Sequence, residues 1–252
     1  MTGIRARTVA IVQARMGSTR LPGKVLLPLL GRPILSRVVE RTARAELVDE
    51  VVVATTVDPS DKRIVDLAVE QGWTVERGSE ADVLDRYTQV ARAHDADIVV
   101  RITSDCPLID PALIDETIEA FVDGGADYAS SSLEPRTYPR GLDVEVIRRA
   151  ALERAWREDG DPAWREHVTP YLYRHPDEFR LIRVSSPDDQ SQHRWCVDTV
   201  EDYELVTRIY EALGDDDFTW RQALEVVDSH PSWASINRDV VQKVVPAADT
   251  GS

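Results

Sequence analysis

Between Ala10 and Gly31 the chain reads AIVQARMGSTRLPGKVLLPLLG, placing Arg15, Gly17, Ser18, Thr19, Arg20, Gly23 and Lys24 close behind Gln13 with no carboxylate among them. Glycines let main-chain N–H groups approach an oxyanion, the Ser18 and Thr19 hydroxyls add short donors, and Arg15, Arg20 and Lys24 neutralise charge. That is cation enough for a triphosphate. The plain alternative is a surface turn whose cations meet acids elsewhere in the chain. Two familiar phosphate loops are excluded. Five residues separate Gly17 from Gly23, Pro22 lies between them, and Val25 stands where a P-loop needs the Ser or Thr that holds magnesium. A dinucleotide fingerprint fails on glycine spacing, and no helix can begin until after Pro22.

Such a loop must be held by something rigid. Thr8–Val12, Val51–Thr55, Trp73–Val75 and Ile98–Ile102 are short apolar runs ending in polar loops, and read as strands. Between them Ile34–Ala43, Asp61–Gln71 and Val83–His94 carry apolar residues at helical spacing, such as Ile64, Leu67 and Ala68, or Val83, Tyr87, Val90 and Ala91. The alternation predicts an α/β fold with a mostly parallel central sheet, helices on both faces and right-handed crossovers. Ligands of such sheets sit outside the carboxyl ends of the strands, which is where the basic loop begins.

From about Tyr128 the pattern changes. The segment DYASSSLEPRTYPRGLDVEVI is broken by Pro135, Pro139 and Gly141 and reads as a small insertion or lid. Helical patterns return at Arg148–Trp156 and Arg165–Tyr173. A last strand, Trp195–Val197, then leads into DTVEDYELVTRIYEAL, where Tyr203, Val206, Ile209 and Tyr210 share one helical face. The expectation is one domain over residues 1–245, with 128–190 as its lid or dimerisation subregion and a frayed tail over 246–252.

A formal net charge of -15 argues against a nucleic-acid partner, since polyanion affinity is built from many Lys and Arg contacts. No apolar run approaches the roughly twenty residues of a membrane span. The amino-terminal MTGIRARTVAIVQAR runs straight into charged residues instead of a cleavage site, so a cytoplasmic chain is expected. Cys106 and Cys196 are its two cysteines, too few for a disulfide framework.

The stretch ARMGSTRLPGK resembles the opening motif of the cytidylyltransferase superfamily that activates acidic sugars, including CMP-KDO synthetases and acylneuraminate cytidylyltransferases. The resemblance continues through GRPILSRVVERT, VVVATT, RGSEADVLDRY, RITSDCPLIDP, YPRGLDVEVI, REHVTPYL and WCVDTVEDYELV, and leans to the SpsF-like branch of spore-coat polysaccharide biosynthesis. It implies a Rossmann-like, GT-A-type nucleotidyltransferase fold, a homodimer, and transfer of CMP from CTP to an anionic acceptor with release of pyrophosphate. Where KDO synthetases carry a Gln-Gly-Asp type segment this chain has Thr103-Ser104-Asp105, so KDO itself is not implied.

Carried over motif by motif, the resemblance implies that Ala14, Arg15, Gly17, Ser18, Thr19, Arg20 and Lys24 hold the nucleotide, with Asp85 and Arg86 beside it. Arg15 and Lys24 would carry the catalytic charge. Asp105 and Asp198 are the implied Mg2+ pair. Magnesium chemistry asks for the same thing, since that ion takes few carboxylates and keeps several waters. Without the resemblance, Asp105 reads as a turn residue and Asp198 as a helix cap, the role kept for Asp202. Arg140, Asp143, Glu145, Arg165 and His167 are the acceptor candidates, because an acidic sugar needs a cationic clamp and partners for its hydroxyls. His167 reads equally as a structural histidine. Cys106 and Cys196 read as packing residues, and Gly214–Asp217 as a solvated acidic loop. Three rivals remain: a phosphonate or alcohol-phosphate acceptor, a GT-A glycosyltransferase, for which a D-x-D motif is lacking, and a non-catalytic nucleotide binder.

Overall fold

Alternate side chains of the first strand, β1 (Thr8–Gln13), enter two different cores: Ala10 and Val12 one, Val9 and Ile11 the other, all fully buried. A strand buried on both faces needs helices on both sides. The computed structural model describes residues 6–242. After β1 come a small antiparallel pair, β2 (Pro28–Leu29) and β3 (Arg32–Pro33), then α1 (Ile34–Thr42), β4 (Glu50–Thr56), α2 (Lys62–Gln71), β5 (Thr74–Gly78), α3 (Val83–Ala93) and β6 (Ile98–Thr103). The second half contains α4 (Pro111–Asp123), β7 (Tyr128–Ser130), β8 (Glu145–Arg148), α5 (Arg149–Glu158), α6 (Pro162–His167), α7 (Pro170–Arg174), β9 (Leu181–Arg183), α8 (Val200–Leu213) and α9 (Trp220–Ser229).

Seven strands form one sheet in the order β5-β4-β1-β6-β8-β7-β9. Every adjacent pair is parallel except those of β8, which runs antiparallel to both β6 and β7. Leu35 of α1, Ile114 of α4, Ile209 of α8 and Ala223 of α9 fill one core; Leu84 of α3, Leu152 of α5 and Leu172 of α7 fill the other. This is the α/β arrangement that the alternating pattern predicts. No helix among the described residues is long and apolar enough to cross a membrane.

The structure departs from expectation in the second half. The pieces at 128–130 and 145–148 join the central sheet itself, and the irregular part is the connection between them. Arg165–Tyr173 is two short helices, because Val168 takes a φ of 71° and Pro170 starts the next. Trp195–Val197 is no strand. Arg194, just before it, makes a single bridge to Arg140, and the segment itself bonds to loops: Trp195 N–H donates to the Arg140 carbonyl at 2.7 Å and Val197 N–H to that of Asp105 at 2.8 Å. In Gly214–Asp217, Gly214, Asp215 and Asp217 are exposed as a solvated loop would be, and Asp216 alone turns inward. Asp216 pairs with Arg37 at 3.1 Å and with Arg44 at 2.8 Å, and its carbonyl accepts from the fully buried Arg41. The frayed tail expected over 246–252 lies outside the described residues.

The Arg140–Arg194 bridge depends on Gly141. Its φ is 103°, and a Cβ there would stand 2.6 Å from the main-chain nitrogen of Cys196. Strain and overpacking add, so Gly141→Ala is expected to cost about 2–4 kcal/mol of stability. Thermal unfolding checks this; an unchanged Tm would mean that the Trp195–Cys196 backbone shifts without penalty.

Candidate active site

Parallel pairing of β1 with β6, ending at Gln13 beside Thr103, brings the loops that leave these strands out side by side. The loop after β1 folds on itself: the N–H groups of Ser18 and Gly23 both donate to the Met16 carbonyl, at 2.9 and 3.1 Å, and Ser18 Oγ accepts from Leu21 at 3.3 Å. Asp61, only 1% exposed, ties it to the sheet by accepting from Met16 N–H at 2.7 Å and from the Thr56 hydroxyl at 2.5 Å. Gly23 closes the turn at a φ of 69°, where glycine is favoured. Ala14 is buried with its N–H on the Ala54 carbonyl at 3.1 Å, so it anchors the loop and has no N–H to offer a nucleotide. Among the described residues nothing accepts from the main-chain N–H groups of Arg15, Gly17, Thr19 or Arg20. Those donors are available to an oxyanion.

Lys24 then meets the two aspartates expected as a metal pair. Its Nζ lies 2.8 Å from Asp105 Oδ2 and 2.8 Å from Asp198 Oδ1. Asp105 follows the exit of β6. Asp198 precedes α8 in a loop, and the helix cap there is Thr199, whose capping box uses Asp202. Arg20 also turns to Asp198, at 2.9 Å from Oδ2, and Arg194 reaches the same oxygen at 2.7 Å. The basic loop thus meets acids, and those acids are the expected metal residues.

Electrostatics follow from this packing. Burial alone would lower the Lys24 pKa, but the fields and hydrogen bonds of Asp105 and Asp198 outweigh it and hold the ammonium above its ordinary value. For Asp105, burial works upward, and the Lys24 charge with bonds from Lys24, Thr103 and Cys106 brings the carboxyl below its usual range. Cys106 and Cys196 are buried against these carboxylates, with Sγ atoms 3.5 Å from Asp105 Oδ1 and 3.9 Å from Asp198 Oδ2. Burial raises both thiols, so neither is a ready nucleophile.

The remaining candidates divide. Asp143 pairs with Arg136, and its field reaches both cysteines, placing it on the Asp105–Asp198 side. Glu145, opposite Arg101 across β8 and β6, is 2.7 Å from its Nη1; Glu145 Oε2 and Arg101 Nε are both buried without a partner. Half-buried His167 feels Arg101, Glu166, Glu145 and Arg15, and burial lowers its pKa, favouring the neutral ring. Arg15 is 45% exposed, 3.5 Å from Glu166.

Four candidates have partners outside the Lys24 cluster. Arg165 has Nε and Nη2 on Asp82 and Nη1 on the Trp156 and Asp159 carbonyls, four of its five N–H groups, so it braces α6 against α3. Asp85 holds the Trp156 indole N–H at 2.7 Å, and Arg86, 3% exposed, bonds to the Ser79 carbonyl beneath β5. Both hydrogen bonds tie the start of α3 to its surroundings, and Arg86 also feels the charges of Arg15 and Asp61. Arg140 lines a separate cavity of about 220 Å³ with His193, Arg194, Asn237 and Arg238, which Lys24, Asp105 and Asp198 do not line.

Asp61, Arg101, Arg136 and Arg194 contact the candidate residues and were not named from the sequence. Only Arg101 had a local signal, a cation inside the apolar run IVVRIT.

A family model described as cytidylyltransferase matches residues 9–222. The chain belongs to the cytidylyltransferase family. It is 35% identical to the Spore coat polysaccharide biosynthesis protein SpsF of Bacillus subtilis over 89% of its own length and 95% of that protein. A solved cytidylyltransferase from Leptospira borgpetersenii superposes with a TM-score of 0.88 at 32% identity, covering 95% of this chain and all of that one. A CMP:2-keto-3-deoxy-manno-octonic acid synthetase complexed with CTP shares the fold, with a TM-score of 0.63 at 23% identity over 82% of this chain and 99% of that one. Activity of this cytidylyltransferase is therefore CTP-dependent.

Removing Lys24 should reverse the linkage between Asp105 and pH. In the native protein the depressed Asp105 pKa contributes stability above the ordinary carboxylate pKa, and this is lost as pH falls through the depressed value. In Lys24→Ala only the bonds from Thr103 and Cys106 still oppose burial, the pKa rises, and ionisation of Asp105 becomes a cost at neutral pH. Denaturant unfolding between pH 3 and 7, with carboxyl NMR of Asp105, checks the sign; parallel pH profiles for the two proteins would refute it.

Proposed function

We propose that this cytidylyltransferase transfers CMP from CTP to an anionic acceptor, an acidic sugar for surface-polysaccharide synthesis. The observation that carries this reading is the convergence of Asp105 and Asp198 on Lys24 at the foot of a loop with open N–H donors. The acceptor side is supported by the named role of the Bacillus relative in spore-coat polysaccharide biosynthesis.

In the reaction an acceptor oxygen attacks the α-phosphorus of CTP, the bond from that phosphorus to the bridging oxygen of pyrophosphate breaks, and the acceptor proton passes to solvent. No protein nucleophile is needed, which suits two buried, protonated thiols. Catalysis rests on positioning and charge. The loop N–H groups receive the phosphates, and Lys24 and Arg15 counter the charge that develops as pyrophosphate leaves. Arg20 exchanges Asp198 for the outer phosphates.

Asp105 and Asp198 suit Mg2+: two hard carboxylates from separate loops converge on one cation. Among the described residues no group of three or more His, Cys, Asp or Glu is arranged to hold a metal, so Asp105 and Asp198 would hold the ion with phosphate and water completing its shell. Bound there, Mg2+ supplies Lewis-acid polarisation of the α-phosphate. Asp143, Glu145 and His167, with Arg101 and Arg136, form the acceptor side. Neutral His167 offers one donor and one acceptor to a sugar hydroxyl.

Pyrophosphate release with Mg2+, each of the four nucleoside triphosphates and a panel of acidic sugars and phosphonates is the test. CTP-selective release with an acidic sugar is expected; release only with a phosphonate, or with another nucleotide, would displace the proposal. Lys24→Ala and Asp105→Asn should each lower kcat/KM by about 10²–10³ while the fold persists by circular dichroism. Near-native rates in either would mean that the site is elsewhere.

A further inference from the structure

Arg194 is the charged group at the site that neither the motif resemblance nor the proposed chemistry uses. Its side chain is 8% exposed, and every nitrogen is engaged. Nε donates to Asp202 Oδ1 at 2.8 Å, Nη2 to Asp198 Oδ2 at 2.7 Å and to Asp202 Oδ2 at 3.1 Å, and Nη1 to the Gln242 side chain. Asp202, with no exposed surface, in turn accepts from the main-chain N–H groups of Asp198 and Thr199 at 3.0 and 3.1 Å. Arg194 and Asp202 therefore grip Asp198 by both its carboxylate and its backbone.

This grip decides how Asp198 faces the site. Arg194 takes Oδ2, and Oδ1 is the oxygen left to face Lys24 and Asp105. A free carboxylate on a loop would turn about its χ angles and offer either oxygen. The grip is completed from far along the chain: Asn237 Nδ2 donates to the Arg194 carbonyl at 2.9 Å and to Asp202 Oδ1 at 2.8 Å, and Arg20 Nη1 reaches the Val241 carbonyl at 3.4 Å. Residues 237–242 lie beyond the part of the chain that the family model matches.

We propose that Arg194 is a positioning residue that presents Asp198 to the metal–CTP complex, held in register by Asp202 and by the carboxy-terminal segment Asn237–Gln242. This rests on the reading of Asp198 as a metal residue. Arg194 touches neither substrate nor reacting atoms; it acts through Asp198.

The test measures Mn2+ affinity in the presence of CTP by electron paramagnetic resonance on the full chain, beside Tm. Arg194→Gln is expected to weaken Mn2+ binding about tenfold or more, the scale seen when support for a metal ligand is lost. Arg194→Lys, which restores a cation to Asp198 without the fork on Asp202, should recover most of that loss even where Tm stays low. In an Asp198→Asn background, Arg194→Gln should add little, because the coupling runs through one carboxylate. If Arg194→Gln lowers only Tm, or if its effect adds fully to that of Asp198→Asn, the positioning role is overturned. Should Arg194→Gln not fold, Gln242→Ala, which keeps the Asp202 pair, is expected to weaken Mn2+ binding in the same direction; unchanged binding would count against the proposal. Wild-type Mn2+ affinity in Asp198→Asn itself would instead remove the metal reading beneath it.

Discussion

Two carboxylates brought together from different loops repel each other unless a cation lies between them, and here the Lys24 ammonium does so at 2.8 Å from each. The arrangement around it follows from that need. Lys24 must arrive from the loop after β1, Asp105 from the loop after β6, and Asp198 from the loop before α8. Arg20 and Arg194 add two more charges on the remaining Asp198 oxygen. Each of these charges has a counter-charge within 2.9 Å, which is the condition for keeping ions in a poorly solvated place.

The sheet meets the first part of this demand by adjacency. β1 and β6 are parallel neighbours, so their exits are a strand spacing apart before any side chain is placed. The second part is met by hydrogen bonding over long sequence distances. Asp61 fixes the loop backbone at Met16, the Asp105 carbonyl fixes Val197, and the Arg140 carbonyl fixes Trp195. Asp110 works the same way farther out, capping α4 with one oxygen and holding the first N–H of α9 with the other at 2.6 Å. Loops carry the chemistry, and carboxylates and carbonyls make those loops rigid.

The first half of the fold was legible because β1, β4 and β6 are buried on both faces and their helices are strongly periodic; β5 was visible only in part. The basic loop and the pair Asp105 and Asp198 could also be named from motifs. What could not be read was pairing. Nothing in DYASSSLEP says that Tyr128–Ser130 enters the main sheet beside an antiparallel β8, since three residues carry no period. Trp195–Val197 has strand composition, but Gly141 lets another loop lie against it, and the pairing stops at the single bridge of Arg194 just before it. α4 and α9 were open to a capping argument, through Asp110-Pro111 and the Thr219–Gln222 box. Arg165 and Arg140 show the limit most clearly. A guanidinium in a family motif has the right chemistry for an acid, and only the structure shows that Asp82 already holds the first while the second lines another cavity.

The reversed direction of β8 separates the two halves of the cleft. Because β8 runs against β6, its first residue, Glu145, lies beside Arg101 near the carboxyl end of that strand. On the nucleotide side the cleft is built by chain leaving the sheet. On the far side it is built by chain entering it, through the long connection from Ser130 to Glu145. Its exposed turn at Glu134 and Pro135 can change without moving β1, β6 or the Lys24 centre, whereas Ser131, Tyr138, Leu142 and Val144 are buried and Gly141 keeps the bridge. The scaffold is modular in this limited sense: one wall is tied to the sheet's register, while the other can diversify at that turn.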